Sequence, residues 1–439
     1  MSLVRNLGDL FFEDEENRVC RDIPASACRD QPQNAGIHLI SLTATKAGDG
    51  LLDPKLILPW LLQSVGAPGA AIGLLVPIRE SLALLPQIFT AHHVRAMPRR
   101  KWIWSLGSAI EAAAIFAMAA CLVAFEGAVA GWSVAAFLAL FALGRSLASV
   151  SYKDVLGKTI SKTRRGAITG MAGSIAAALV LVYGAALALD VLPLDRTVLL
   201  VGLGIGGALF AAAAFSFTML AEEAGANEGG ESGLKAILDN GRRAWADRQF
   251  RLFVTTRALL TATAVAPPYL LLSAGENGGE ALGTLGSFVL ASSLAAIVGS
   301  SVWGWLSDRS SRAVLICSAM AGFVVLAVSS GLALAEATRA LWPIAAPFAL
   351  FCLMLAYQGV RQGRSIHLTD MARPEDRAVY TAVSNTIIGA VLLAMGAFGL
   401  LADRLGTPCV LAAFAVLCLG ATVTAARLED VQQDAGDGR

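Results

Sequence analysis

Four ionisable side chains lie close together in an otherwise apolar stretch near the start of the chain: Lys46, Asp49, Asp53 and Lys55. Lys46, Asp49 and Asp53 are spaced three and four residues apart, so a helix places them on one face. A charged group in the middle of a membrane helix costs about 2.5–3.5 kcal/mol, so it usually meets a partner, water or a transported ion. Asp49 and Asp53 are therefore candidates for binding and releasing a proton, with Lys46 as a charge partner.

Later apolar stretches contain further charged residues: the neighbours Arg79 and Glu80, then Glu111 and Arg145. Glu80 is a third carboxylate that could bind a proton, and the two arginines are candidate charge partners. Burial and nearby cations act on the pKa of a carboxyl group in opposite directions, so such a site can titrate near neutral pH. The alternative is a set of static ion pairs that hold helices together. We favour proton binding at Asp49 and a structural role for Glu111, whereas both interpretations stay open for Glu80.

The second half of the chain contributes polar, uncharged candidates for a binding cavity. Its arginines Arg257 and Arg361 lie near the ends of their apolar stretches, so we expect the buried charges to belong to the first half. An aromatic residue in such a stretch is often explained by packing alone, which is the alternative for the two tyrosines. The cavity candidates are Tyr269, Tyr357, Gln358 and Asn385.

Twelve apolar stretches position these residues, and each is long enough to cross a bilayer, which takes about 20 residues at 1.5 Å rise. The chain is 56% hydrophobic and 15% charged, where soluble domains contain about 25% charged residues. Pro54 and Pro59 predict interruptions in the first span, and broken helices at mid-membrane often line binding sites. The predicted spans are residues 38–64, 69–94, 102–125, 132–152, 166–190, 197–220, 252–272, 282–306, 313–335, 341–362, 377–400 and 408–426.

The connections between spans differ in charge on the two sides of the membrane. Those on one side, with the hydrophilic segment between spans six and seven, contain twenty Lys and Arg residues, against three on the other side. By the positive-inside rule both termini are cytoplasmic, and the chain is a multi-pass protein of the cytoplasmic (inner) membrane. The predicted organisation is an N-terminal tail (1–36), a six-helix bundle (37–220), a cytoplasmic linker with an amphipathic helix (221–251), a second bundle (252–427) and a C-terminal tail (428–439).

One connection contains a recognisable motif. Gly304-Trp-Leu-Ser-Asp308-Arg309-Ser-Ser-Arg312 resembles the G-x-x-x-D-R-x-x-R loop signature of the major facilitator superfamily, at the cytoplasmic end of span eight. The resemblance implies an all-α membrane protein with twelve transmembrane helices in two six-helix bundles. It also implies that Asp308, Arg309 and Arg312 form a cytoplasmic gate between the halves. Arg145 resembles the buried arginine of the same family in span four.

A shorter stretch, Lys46-Ala-Gly48-Asp49-Gly50, resembles the Lys/Arg-x-Gly-Asp motif of the muropeptide permease and acetyl-CoA transporter branch. Four residues are too few to carry a substrate over to this chain. The wider family implies that a solute binds between spans one, four, seven and ten. Rocking of the two halves then exposes that site to either side of the membrane in turn.

Other chemistries have no motif in this sequence. No P-loop supports ATP-driven transport, and no nucleophile elbow, nucleotide fingerprint or Cys/His cluster predicts an enzyme, a cofactor or a metal site. Seven cysteines show no pairing pattern, and Cys28 lies in the predicted cytoplasmic tail, where disulfides are disfavoured. The sequence thus predicts a monomeric, proton-coupled secondary transporter in the lipid bilayer, a symporter or antiporter for a small-molecule solute, without nucleic acid partners. The alternatives are a proton-driven exporter of drugs or metabolites and a non-transporting assembly factor or sensor of the same fold.

Overall fold

The computed structural model describes residues 25–87, 94, 96–225, 241–242, 244–276, 285–307, 309–335, 341–372 and 377–431. The predicted gate residue Asp308, both chain ends and most of the linker lie outside these residues. Within the described part the regular secondary structure is helical, and no strand is present.

Sixteen described helices correspond to the twelve predicted spans. Spans one, seven and eleven each consist of more than one helix, because the backbone is interrupted within them. In the first half the helices are α1 Ala25–Leu52, α2 Ile57–Ser64, α3 Gly69–Leu84, α4 Lys101–Ala124, α5 Gly127–Thr159, α6 Lys162–Ala188 and α7 Arg196–Thr218. In the second half they are α8 Arg248–Leu259, α9 Thr261–Val265, α10 Pro267–Glu276, α11 Leu285–Ser307, α12 Ser311–Leu334, α13 Trp342–Met371, α14 Arg377–Met395, α15 Ala397–Leu405 and α16 Thr407–Ala425.

Nine helical stretches within the described residues are long and apolar enough to cross a membrane. They correspond to all the predicted spans except the first, second and seventh. The first and second contain the charged residues that the sequence singled out, and the seventh is divided into short helices. The protein is therefore an all-α, multi-pass membrane protein. The two spans with the charged residues and the divided seventh span are its least apolar ones.

The first helix starts before its apolar stretch does. Its early polar residues are buried and hydrogen-bonded to distant parts of the chain, which lowers the cost of placing them in the bundle. The Asn34 side chain donates to the carbonyl of Ala221 at 3.0 Å and accepts from its N–H at 2.9 Å. The His38 ring nitrogen Nε2 lies 2.9 Å from the hydroxyl of Thr159. Hydropathy alone could not show these partners, so it predicted a later start.

Pro54 interrupts span one between α1 and α2, as predicted. The Asp53 side chain accepts a hydrogen bond from the Lys55 N–H at 2.9 Å, and its carbonyl accepts one from the Ile57 N–H at 3.0 Å. The expected interruption at Pro59 was wrong. Pro59 is the third residue of α2, where the helix needs no backbone donor.

The two halves contact each other through equivalent pairs of spans. Within each half the helices pack into a bundle, with α4 against α5 and α7 in the first and α12 against α13 and α16 in the second. Between the halves the most extensive contacts are those of α6 with α11 and of α3 with α14 and α15. These pairs join span five to span eight and span two to span eleven. Each pair joins the second span of one half to the fifth span of the other, the pattern expected of two related six-helix units.

The contact between α6 and α11 is tight at one end of the bundle. We call the end at which α5 connects to α6 the basic end, because the predicted basic connections lie there, and the other end the opposite end. At the opposite end, a Cβ on Gly286 would lie 2.4 Å from the backbone nitrogen of Ala188, so only glycine fits. Towards the basic end of α6, Gly166 and Gly170 have no such neighbour within 4 Å.

The second pair of spans is also closed at the opposite end. A Cβ on Gly399 of α15 would lie 3.0 Å from backbone atoms of Ala70 in α3. The N–H of Ala70 donates to the Asp403 carboxylate at 2.9 Å, a hydrogen bond that crosses from one half to the other. The described halves are thus held together by backbone contacts at the opposite end.

One expectation about the cysteines was wrong. Cys28, in the first turn of α1, is disulfide-bonded, and the five other described cysteines are free. The expectation of an unpaired thiol rested on the cytoplasmic placement of the tail. That argument concerns the redox state of a compartment and does not exclude two cysteines from lying within bonding distance.

Candidate functional site

Asp49 joins two arginines from different helices. Its Oδ1 lies 2.9 Å from Nη2 of Arg79 in α3, and its Oδ2 lies 2.5 Å from Nη2 of Arg145 in α5. The three side chains are 13–28% exposed, so water reaches them only in part. The aromatic ring of Phe141 packs against the Arg79 guanidinium, with 5.3 Å between its centre and Cζ. A single carboxylate therefore connects α1, α3 and α5.

Glu111 lies beside this bridge and is fully buried. Its Oε1 is 3.6 Å from Nη1 of Arg145, longer than a hydrogen bond. The proximity follows from a close approach of α4 and α5, because a Cβ on Gly107 would lie 2.7 Å from the carbonyl oxygen of Gly144. The structure thus places Glu111, for which the sequence favoured a structural role, beside the charged bridge.

Lys46 has a different partner from Asp49. Its Nζ donates to the Thr169 carbonyl of α6 at 3.3 Å, and the side chain is exposed. Gly173 of the same helix faces this ammonium group, since a Cβ there would lie 3.1 Å from Nζ. Asp53, the third residue of the predicted face, caps the interruption in span one. The three residues share a helix face, but they contact different parts of the molecule.

The interruption in span one directs Lys55 towards the second half. Lys55 is 9% exposed, and its Nζ lies 3.6 Å from the centre of the Tyr357 ring in α13, a cation–π contact. Tyr357, predicted as a cavity residue, is thus in contact with the first half. Arg361, one turn further along α13, has its guanidinium 5.9 Å from the centre of the same ring.

Glu80 of α3 faces this second group of cations. Lys55, Arg361 and Arg364 all lie within electrostatic range of its carboxylate. Arg361 is also within electrostatic range of Lys46, which belongs to the first half. Arg361 was missed by the sequence reasoning, which placed it near a helix end. Tyr357, Arg361 and Arg364 are spaced four and three residues apart, and that spacing alone places them on one face.

Arg257 is a buried charge in the second half, so the expectation that such charges belong only to the first half was wrong. It is 7% exposed and donates from Nη1 to the Ser384 hydroxyl at 2.6 Å and from Nη2 to the Asn385 side-chain oxygen at 2.8 Å. Its Nε has no hydrogen-bond partner among the described residues. Arg364 lies within electrostatic range. Asn385, predicted to line the cavity, therefore orients an arginine.

Two other cavity candidates lie in packing contacts. Tyr269 is fully buried, its ring centre is 5.5 Å from that of Phe414, and its hydroxyl oxygen is 2.5 Å from the position of a Cβ on Gly73. It therefore belongs to the closed contact between the halves. Gln358 packs against Gly299 of α11, with its Cβ 3.0 Å from the position of a Cβ there. Among the described contacts, no hydrogen bond joins either residue to Asp49, Lys55 or Arg361.

The described residues of the predicted gate lie at the basic end and contact their own half. The guanidinium of Arg309 lies over the Trp305 ring at 3.8 Å, and Nη2 of Arg312 donates to the Ala426 carbonyl at 2.6 Å. Asp308 is outside the described residues.

Comparison with known proteins identifies the fold. No family model matches the sequence, and no curated protein resembles it significantly. Among solved structures, the nucleoside transporter NupG is 13% identical with a TM-score of 0.67, over 90% of this chain and 99% of that one. A D-xylose-proton symporter is 11% identical with a TM-score of 0.64, over 90% and 98% of the two chains. A POT family transporter in complex with a thioalcohol-conjugated peptide is 11% identical with a TM-score of 0.63, over 92% and 97%.

These similarities span nearly the whole of each chain, so the chain has the major facilitator fold that the loop signature implied. At 11–13% identity, side chains in the middle of the bundle are free to differ from those of the compared proteins. The chemistry of the site therefore rests on the contacts of this chain alone.

Proposed function

We propose that this protein is a secondary transporter that moves a small solute across the cytoplasmic membrane by alternating access and couples that movement to protons at Asp49. The observation that carries the proposal is the bridge from Asp49 to Arg79 and Arg145. It puts one ionisable carboxylate between two fixed cations in the interior of a fold shared with transporters. A static ion pair that only holds two helices together needs one cation for each carboxylate.

Protonation of Asp49 changes what holds three helices together. The neutral acid loses its charge attraction for both guanidinium groups, which then repel each other and become available to other anions. Glu111, 3.6 Å from Arg145, is the nearest described carboxylate that could take over. Binding or release of one proton thus alters the positions of α1, α3 and α5 relative to each other.

The helix α3 connects this change to the contact between the halves. Arg79 lies in α3, and the same helix packs against α15 of the second half through Ala70 and Gly73. A shift of α3 at Arg79 therefore acts on the contact that closes the opposite end. Alternating access requires such a link, because the proton and the solute must both shift the equilibrium between the same two arrangements of the helices.

The distribution of basic residues supports the proposed orientation of the protein in the membrane. With the arginine-rich connections in the cytoplasm, the contact at the opposite end lies on the outer side of the membrane. The described conformation then has its space between the halves open to the cytoplasm. The compared proteins include a proton symporter, which favours proton coupling here.

The test uses purified protein in liposomes that contain a pH-sensitive dye. Wild-type protein should give solute-dependent proton flux with at least one member of a panel of sugars, nucleosides, peptides and organic acids. Asp49→Asn should abolish that flux but retain solute exchange without a gradient, because the neutral amide imitates a permanently protonated site. Asp195→Asn, at a helix cap at the opposite end, removes one carboxylate elsewhere and should leave coupling intact.

Coupling that survives in correctly folded Asp49→Asn would refute the role of this carboxylate. A wild-type protein that moves neither protons nor any solute of the panel would refute transport itself.

A further inference from the structure

The middle of the protein contains more basic groups than carboxylates once the two halves are considered together. Four of the basic groups belong to the first half and three to the second, whereas all the acidic groups belong to the first. Among the described residues, the seven basic groups are Lys46, Lys55, Arg79, Arg145, Arg257, Arg361 and Arg364, and the four carboxylates are Asp49, Asp53, Glu80 and Glu111. The excess is three positive charges.

The carboxylates of the first half cannot compensate for this excess. Asp49 already serves two arginines, and Glu111 is adjacent to one of them. Asp53 accepts a backbone N–H at the interruption in span one and lies within electrostatic range of Lys55, but no basic nitrogen of the described residues is within 4.0 Å of its carboxylate. Only Glu80 faces the cations of the second half, and no described basic nitrogen lies within 4.0 Å of it.

Two buried cations, Arg257 of the second half and Lys55 of the first, are in contact with neutral groups. Arg257 is buried, donates to a hydroxyl and an amide oxygen, and keeps an unpartnered Nε. Lys55 is buried against the face of Tyr357 and has no described carboxylate oxygen within 4.0 Å. Desolvating a cation with no counter-charge in contact is costly, so the burial of Arg257 and Lys55 in this way is offset when an anion binds beside them.

We infer that the solute is an organic anion, and that its carboxylate or phosphate group binds between Lys55, Arg361 and Arg364. This rests on the proposed function and specifies its substrate class. Guanidinium groups donate two parallel hydrogen bonds to either kind of oxyanion, which gives both affinity and orientation. Tyr357 contacts Lys55 and Arg361, so it positions two of the three cations and offers an aromatic face to the rest of the solute.

The location couples anion binding to movement of the halves. Lys55 belongs to the first half, while Arg361 and Arg364 belong to the second, so an anion held by all three connects the halves directly. It also competes with Glu80 for the same cations. An anion in this position would draw α13 towards the interruption in span one. Solute binding would thereby favour one of the two arrangements of the halves.

The sign of the local potential can be measured without knowing the solute. Gly173→Cys places a thiol beside Lys46, where only the flexible end of that side chain has to move. The background is protein with Cys121, Cys317, Cys352, Cys409 and Cys418 replaced by Ser or Ala. The rates at which an anionic and a cationic methanethiosulfonate reagent modify this thiol are measured by mass spectrometry. Each rate is divided by the rate at which the same reagent modifies a free thiol in solution.

We expect the anionic reagent to react at least about tenfold faster than the cationic one, since a potential of a few kT acts on the two reagents in opposite directions. Arg361→Gln and Arg364→Gln should each reduce this ratio severalfold. Arg404→Gln removes the same charge from an exposed site at the opposite end and should leave the ratio unchanged. A ratio of one or below, or a ratio unaffected by both α13 variants, would overturn the inference.

Ligand protection then distinguishes the two oxyanions. The neutral reagent N-ethylmaleimide is applied at constant ionic strength with inorganic phosphate, acetate or chloride. Protection by phosphate alone identifies a phosphate ester as the substrate class, and protection by acetate alone identifies a carboxylate. Protection by neither, relative to chloride, contradicts an anion site. Because labelling requires no transport, these results stand independently of the flux assay, and a failure of transport would not be mistaken for a failure of anion binding.

Discussion

The bridge from Asp49 to Arg145 allows a quantitative prediction about stability. Asp49→Asn leaves Arg79 and Arg145 facing an uncharged amide, and Arg145→Gln leaves Asp49 with one cation instead of two. Removing one partner of a fully buried ion pair costs about 3–5 kcal/mol. These side chains are 13–28% exposed, so water compensates part of the loss, and we expect a cost of about 2–3 kcal/mol for Asp49→Asn. Arg145→Gln should cost less, because Asp49 retains Arg79.

The double variant tests whether the contact itself is responsible. A hydrogen bond to a charged group contributes about 1.5–3 kcal/mol to stability. After the same allowance for exposure, the double variant should be less destabilised than the sum of the single ones by about 1–2 kcal/mol. The assay is the free energy of unfolding in detergent micelles, from denaturant titrations followed by circular dichroism, with wild type and the three variants in one series.

A matched control combines Asp49→Asn with Arg196→Gln. Arg196 donates to the carbonyl of Leu122 at the opposite end of the bundle, so its loss should add independently to that of Asp49. A coupling energy below about 0.5 kcal/mol for Asp49 with Arg145 is the level of unrelated sites. Such a value would show that the contact does not hold α1 and α5 together, and the proposed consequence of protonation would fail with it.

Two glycines offer further tests. Gly286→Val should separate α6 from α11 at the opposite end, because the new Cβ would lie 2.4 Å from the backbone of Ala188. Spin labels on these two helices should report a longer distance between them. The control Gly331→Val, in open space, should leave that distance unchanged. Gly107→Leu should force α4 away from α5 and lower the free energy of unfolding by about 1–3 kcal/mol, whereas Gly204→Leu, without a neighbour within 4 Å, should cost little in the same denaturant titration.

Much of the architecture could be predicted because membrane spans are encoded locally. The length of each apolar stretch, the basic connections and Pro54 each act through nearby residues, and they predicted the spans and the interruption in the first one. The charged residues of the first half were identifiable for the same reason, since a charge such as Asp49 is conspicuous among apolar neighbours.

The partners of those residues could not be predicted in the same way. Lys46 and Asp49 share a helix face, yet one contacts α6 while the other contacts α3 and α5. Which neighbour each meets depends on the rotation and tilt of whole helices, which hydropathy does not specify. The burial of Arg257 was not predicted because it lies near the end of an apolar stretch, and only the packing of α8 against α14 shows that it is buried.

The polar residues at the start of α1 have a consequence for biosynthesis. Asn34 is bonded to a residue 187 positions later in the chain, and His38 to one 121 positions later. At about 5–20 residues per second of translation, the partner of Asn34 leaves the ribosome roughly 10–40 s after Asn34 itself. During that interval the first span has unsatisfied polar groups and a charged centre, so the translocon must retain it, or an insertion chaperone must shield it, until α5 and α7 arrive.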